Sequence, residues 1–337
     1  MSKDAAENRL EEYDDVFADI FDNLILGGRG IVKAEDLISR PTRAYMRKTD
    51  GEIRSGMRDI RKENRRNEQF RLICGMENQT EIDNTMPERL MGYEYAGYEE
   101  QVKQIMDENK ARKRSAGAKR IFGKQKLAPV LTGVLYYGER EWKKPRCLHD
   151  LLQFPEGMED VLKEYVADYP MNLVQVARLT KEERERLTSD FRIVAEYLAC
   201  KDDRKKWEEF LKNTKEIRHV EELLDVIWEL SGDEHYYILK DKIRNEKKRK
   251  EKWNMCQIAE ELERIGIEKG IQQGIQRGMQ KGIKKGMKSG IETGIVAMIR
   301  ENLDMGLQKE TILEKIVRYF SVTHEKALRY YNQVVME

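Results

Sequence analysis

Apolar residues recur along this chain with several different periods, and the changes of period divide it. Strand-like and helix-like patterns alternate over residues 1–150. Val16, Ile20, Phe21 and Leu24 share one helical face, and the run Gly27-Gly28-Arg29-Gly30 predicts where that helix stops. A strand is predicted around 58–61, and the polar run KENRRNEQ at 62–69 reads as a hairpin loop. The string Phe70-Arg71-Leu72-Ile73-Cys74-Gly75-Met76-Glu77 has the make-up of a buried strand. Met86-Pro87 predicts a helix start with proline in its first turn, and Leu90, Tyr93, Gly97, Val102, Ile105 and Met106 give that helix an apolar side. Residues 109–126 read as a basic loop. Residues 129–137 (PVLTGVLYY) are apolar almost throughout, which predicts a central strand covered on both faces.

Beyond residue 150 the expected organisation changes. Residues 151–235 carry amphipathic helical patterns, such as Val161, Leu162, Tyr165 and Val166, and later Phe191, Val194, Ala195 and Leu198, and read as an all-helical subdomain. Residues 236–300 read as a charged, then glycine-patterned helix, and 301–337 as a short helical tail. In the glycine-patterned tract, Gly recurs every fourth position from Gly266 to Gly294, each followed by Ile or Met. Four residues advance an α-helix by about 400°, so the apolar stripe drifts slowly around the axis. Each Gly disfavours an isolated helix by about 0.8–1 kcal/mol relative to Ala. The tract is therefore expected either to gain a partner, most simply a second copy of this chain through 266–295, or to act as a flexible linker.

Composition narrows the function classes. Charged residues make up 37%, but Lys+Arg (63) and Asp+Glu (62) nearly cancel, so any surface for a polyanion has to be local. No apolar run approaches the roughly 20 residues of a membrane span, and the acidic N-terminal stretch has no apolar signal core. No membrane partner and a cytoplasmic location are expected. The four cysteines and four histidines are dispersed, which argues against a zinc site or a disulfide framework.

Two acids stand out. Asp59 falls at one end of the predicted hairpin and Glu77 at the end of the following strand, so the pair can converge on one hard cation; Mg²⁺ favours such oxygen donors. Gln79, two residues after Glu77, points to the same strand face, where it can orient a water. On spacing alone the same pattern fits a solvated hairpin with ordinary charges. A basic run without intervening acids, Lys110, Arg112, Lys113, Arg114, Lys119, Arg120, Lys124 and Lys126, offers phosphate contacts or a solvated loop. No phosphate-binding P-loop and no serine or cysteine nucleophile motif occurs.

The run Cys74-Gly75-Met76-Glu77-Asn78-Gln79-Thr80-Glu81-Ile82-Asp83, followed by Met86-Pro87-Glu88-Arg89-Leu90-Met91-Gly92-Tyr93, resembles the Rpn family of recombination-promoting nucleases. These are also labelled transposases and fall in the PD-(D/E)xK nuclease superfamily. Pro129-Val130-Leu131, Leu135 to Arg140, Trp142 with Pro145, and Asp14-Asp15-Val16-Phe17 are similar to further parts of that family, as is the glycine-every-four tail. The resemblance spans about 1–150 and 255–337. It implies an α/β chain: a restriction-endonuclease-like core, with a central mixed sheet flanked by helices, then a helical region and a long glycine-patterned helical tail. It also implies a Mg²⁺-dependent DNA endonuclease linked to recombination or mobile elements, in a bacterial cytoplasm or at its nucleoid. Asp59 and Glu77 would be metal ligands, with Asp14 or Asp15 as an additional one. Gln79 would stand at the last position of the ExK motif. Because Gln carries no charge, a cation would have to come from elsewhere: Arg89 matches a family position, and Lys103 is a weaker choice. The alternative is a degenerate nuclease fold that binds DNA or a partner and acts through its oligomerising tail.

Overall fold

The structure, a computed structural model, describes residues 3–47, 53–57, 59–67, 70–111, 121, 125–201, 203–212, 216–245 and 253–336. Two helices open the chain, α1 (Lys3–Glu11) and α2 (Asp14–Ile20), and a π-helical turn, Phe21–Ile25, prolongs α2. Gly27, Gly28 and Gly30 then all take positive φ, a conformation open to glycine at little strain, and the helix ends there as its sequence predicts. Strands β1 (Leu37–Ser39), β2 (Arg43–Arg47), β3 (Ile53–Met57), β4 (Ile60–Arg65) and β5 (Arg71–Gln79) follow, then the long helix α3 (Met86–Ala111) and β6 (Val130–Tyr136). Next come α4 (Glu159–Tyr165), β7 (Asn172–Gln175), α5 (Lys181–Arg186), α6 (Phe191–Cys200), α7 (Arg204–Lys212), β8 (Glu216–Ile217), α8 (Val220–Ser231), α9 (Glu234–Asn245) and β9 (Trp253–Asn254). Helices α10 (Met255–Asp304), α11 (Lys309–Phe320) and α12 (His324–Met336) complete it. The chain forms two compact units, Met1–Leu262 and Glu263–Glu337.

A five-stranded mixed sheet in the order β1-β4-β5-β6-β7 organises the first unit. β1, β4 and β5 run antiparallel in turn, whereas β5, β6 and β7 are parallel. β6 lies between β5 and β7, and its alternation resolves the two faces. Its even positions meet α3: Val130 lies 3.2 Å from where a Cβ on Gly97 would sit, Glu94 accepts from the Thr132 amide at 2.8 Å, and Val134 and Tyr136 join Met86, Leu90, Tyr93 and Trp142 in one buried cluster. Its odd positions meet the other layer, where a Cβ on Gly133 would overlap the Ile25 side chain and Tyr137 packs edge-on against Phe191. The strand is covered on both faces, as its unbroken apolar run predicts.

Two expectations are corrected. The polar run read as a hairpin loop enters the sheet, because β4 extends to Arg65 with Arg61, Lys62, Glu63 and Asn64 all buried. Each of these is partnered by a residue distant in the chain: Lys62 donates to Asp14 and to the Glu12 carbonyl, Glu63 accepts from Arg71 (2.7 Å) and Arg40, and Asn64 donates to the Ile31 carbonyl (2.8 Å). The stretch read as all-helical also carries the sheet's edge strand β7 and the short β8.

In the second unit, α11 and α12 fold against the end of α10 around Ile295, Ile299, Ile312, Leu313, Ile316 and Ala327. The glycine tract lies in α10 and is continuously helical. Its stripe is open, with Ile275 65%, Met279 66% and Ile283 53% exposed. Among the described residues, no helix is long and apolar enough to cross a membrane. None of the four cysteines is in a disulfide.

Candidate functional site

Register brings the two predicted acids together. Ile60 on β4 pairs with Met76 on β5 in an antiparallel ladder, so Asp59 and Glu77 are the next residues outward on the two strands. Directly opposed residues of such a ladder have Cα atoms about 4.5–5.5 Å apart. The Asp59 carboxylate caps the end of the ladder: one oxygen accepts the Asn78 amide at 2.7 Å and the other the Asn8 side chain at 3.4 Å. Both acids act on the Tyr93 phenol. Burial is the main cause of its raised pKa, and the charges of Glu77 and Asp59 add to the rise.

Alternation along β5 then sorts the motif between the two helical layers. Glu77 and Gln79 pair with Val134 and Tyr136, which face α3. Glu77 is buried (2% exposed) and accepts from Arg89 of α3. Arg89 also donates to Asp83 at 2.7 Å and to the Tyr93 hydroxyl at 2.9 Å. Partial burial works against the Arg89 charge, but the bonds to Tyr93 and Asp83 and the charge of Glu77 outweigh it and raise the pKa. Asp83 is held below its ordinary value, because bonds from Thr85 and Arg89 outweigh its desolvation. Gln79 Nε2 lies 3.5 Å from Glu77 Oε1, on the same face as the dipeptide spacing predicts.

Asn78, between them, faces the opposite layer. Its side-chain amide donates to Glu11 at 2.6 Å and to Asn8 at 2.9 Å, both on α1. Glu11 also accepts from the Tyr137 hydroxyl. Burial pushes the Glu11 pKa up to about 8, against the lowering effect of its bonds from Tyr137 and Asn78, and the charge of Asp59 adds to the rise.

Asp59, Glu77, Gln79 and Arg89 are thus brought into one place, and the other predicted residues are not. Asp14 is bound to Lys62, and Asp15 to His219 (2.9 Å) and Arg218 (3.1 Å), so neither is directed at Glu77. Burial opposes the Asp15 charge, yet the His219 and Arg218 bonds hold its pKa below the usual range. Lys103 is exposed, about 21 Å along α3 from Arg89 at 1.5 Å per residue. Lys110 is exposed and pairs with Asp107 at 3.4 Å. Arg112, Lys113, Arg114, Lys119 and Arg120 lie outside the described residues. Sequence reasoning missed Asn8, Glu11, Asn78, Asp83 and Tyr93 as site residues. A signal existed for Tyr93, which stands one helical turn after Arg89, but α1 carries no motif that points at β5.

The donor chemistry fits a hard divalent cation. Two carboxylates at neighbouring strand ends match the one or two that Mg²⁺ takes from protein when the remaining ligands are water and phosphate. Among the described residues, no group of three or more His, Cys, Asp or Glu is arranged to hold a metal ion. Asp59 and Glu77 are the residues that would hold Mg²⁺.

Residues 54–224, just over half of the chain, match the family model described as "Putative transposase, YhgA-like". The match takes in β4, β5, α3, β6 and β7, and with them Asp59, Glu77, Gln79 and Arg89. No curated protein and no solved structure matches the chain. The chain belongs to the YhgA-like family of putative transposases.

Proposed function

We propose that the chain is a Mg²⁺-dependent DNA endonuclease of the PD-(D/E)xK type serving a mobile-element or recombination activity. The observation that carries this reading is the register pair Asp59–Glu77 with Gln79 on the Glu77 face. Mg²⁺ held there would polarise the scissile phosphate and acidify a water. Gln79 orients that water by accepting a hydrogen bond through its side-chain oxygen. An amide is not a base at neutral pH, so the water proton leaves to a phosphate oxygen or to solvent. As water oxygen bonds to phosphorus, the bond to the sugar oxygen breaks and that oxygen takes up a proton. Arg89, tied to Glu77, Asp83 and Tyr93, pairs with the Glu77 carboxylate and fixes its direction.

Pairing through 266–295 extends the reading, since two copies supply two sites, one for each strand of a duplex. Basic side chains, among them Lys110 and its neighbours up to Arg120, would neutralise backbone phosphates.

One observation favours a second reading, a nuclease-like fold without cleavage. Glu77 is nearly fully buried and already ion-paired with Arg89, the arrangement expected of a structural carboxylate. Plasmid cleavage separates the two. Purified protein should nick or linearise DNA with Mg²⁺ and not with EDTA, and folded Asp59→Ala and Glu77→Ala variants should lose the activity. Absence of cutting by the wild type across metals and DNA forms would decide for the second reading.

A further inference from the structure

The chemistry proposed above uses only residues from β4, β5 and α3. The buried network on the opposite face of β5 enters it only through Asp59. Four polar side chains meet there with little access to water: Glu11 (1% exposed) and Asn78 (5%) are buried, and Asn8 and Asp59 are half-buried. Burying so many polar groups is unfavourable unless each is hydrogen-bonded, so a cluster of this kind holds its members in one arrangement.

The connections run in one direction, from α1 to Asp59. Tyr137 fixes one Glu11 oxygen, and Asn78 Nδ2 reaches the other at 2.6 Å. The same Nδ2 reaches Asn8 Oδ1 at 2.9 Å, and Asn8 Nδ2 in turn reaches Asp59 Oδ1 at 3.4 Å. The Asn78 main-chain amide holds Asp59 Oδ2 at 2.7 Å. Asp59 stands just past Ile60–Met76, the last pair of the ladder. One Asp59 oxygen is therefore aimed by the Asn78 main chain and the other by Asn8, whose side chain Glu11 reaches through the Asn78 amide. Glu11 and Asn8 both lie on α1, outside the 54–224 segment of the family match.

We infer that Asn8 and Glu11 of α1 are positioning residues for the Asp59 cation ligand: Asn8 holds one Asp59 oxygen directly, and Glu11 holds Asn8 through the Asn78 side chain, so that α1 completes the cation site at the ends of β4 and β5. This rests on the reading that Asp59 and Glu77 bind the cation. Partners behind a metal ligand typically change metal affinity about 10–100-fold when removed. The two Glu11 oxygens accept from Asn78 and from Tyr137, and burial rather than these bonds favours the neutral form. Glutamine keeps the oxygen that accepts from Asn78 and can donate to the Tyr137 oxygen in place of accepting from it, and alanine keeps neither bond.

The test uses the full-length protein and Mn²⁺ as the probe, with affinity read by titration calorimetry and cleavage measured alongside. The expected result is a loss of Mn²⁺ affinity of about tenfold or more in Glu11→Ala and in Asn8→Ala, with wild-type affinity in Glu11→Gln. Melting temperatures identify any variant that fails to fold. Should Glu11→Ala unfold, Asn8→Ala and Glu11→Gln carry the test alone. Unchanged Mn²⁺ affinity in folded Asn8→Ala would overturn the inference. So would a Glu11→Gln variant as weak as the alanine one, because Glu11 would then be acting as a charged ligand. If the wild type itself binds no Mn²⁺, the cation reading of Asp59 and Glu77 falls, and this inference falls with it. A wild type that binds and cuts beside unaffected variants removes the α1 role alone.

Discussion

Glu77 and Glu11 are both nearly fully buried carboxyls packed against the end of β5, one on each side of the sheet, and the chain accommodates them in opposite ways. On the α3 face Glu77 meets a guanidinium, and Arg89 is itself spread over Asp83 and Tyr93. On the α1 face, among the described residues, Glu11 accepts from the neutral donors Asn78 and Tyr137; burial lifts its pKa to about 8, and the charge of Asp59 adds to the rise. A buried carboxyl needs either a counter-charge or a proton. The face with the counter-charge offsets the cost of burying a carboxylate with an ion pair. The face without one favours the protonated form of Glu11.

The largest effect expected of breaking this contrast comes from Arg89→Met. It leaves Glu77 buried without its partner and should destabilise the first unit by on the order of 3 kcal/mol in urea unfolding. A change below about 0.5 kcal/mol would mean that Glu77 finds another partner at once.

On the other face the sign depends on pH. The unfolded chain releases the Glu11 proton near 4.5 and the folded chain near 8, so the native state holds an extra proton between them. Stability attributable to Glu11 therefore falls as pH rises through that window and levels off above it. Glu11→Gln has no proton to release. It should match the wild type at about pH 5 and exceed it at about pH 9, by an amount on the order of a few kcal/mol. A constant difference across that range would contradict the protonated state.

Packing gives a smaller contrast. Gly133→Ala drives a methyl group into Ile25 on the α2 side and should cost about 1–3 kcal/mol, read by thermal unfolding. Tyr93→Phe on the α3 side removes an acceptor from Arg89 and should cost about 1 kcal/mol. The smallest effect lies away from both faces. A Cβ at Gly278 meets open space within α10, so Gly278→Ala should stabilise that helix by about 0.5–1 kcal/mol, as seen by helical circular dichroism. Destabilisation there would show that the glycine stripe is needed for close contact. A protein that stays monomeric by light scattering at micromolar concentration yet cuts both strands fully would exclude pairing through 266–295.

Strands with apolar runs were legible in the sequence. Residues 70–77 and 129–137 become β5 and β6 nearly residue for residue, and Met86-Pro87 does open α3. The Asp59, Glu77 and Gln79 pattern was legible as a possibility of chemistry, because a two-residue spacing fixes a shared strand face. Asp14 and Asp15 show the limit. Their motif was readable, but their partners Lys62, Arg218 and His219 lie far along the chain.

What the sequence determined by itself is local: where apolar periodicity demands a strand or helix, where Gly27, Gly28 and Gly30 end one, and which residues could carry charge to a cation. Only the tertiary structure decided that Lys62, Glu63 and Asn64 lie in a strand rather than a loop, that Glu11 stands behind Asp59, and that Arg89 is bound to Glu77. The reason is the same in each case. A buried polar side chain is tolerable only when a partner satisfies it, and these partners come from other elements that folding alone brings within hydrogen-bonding distance.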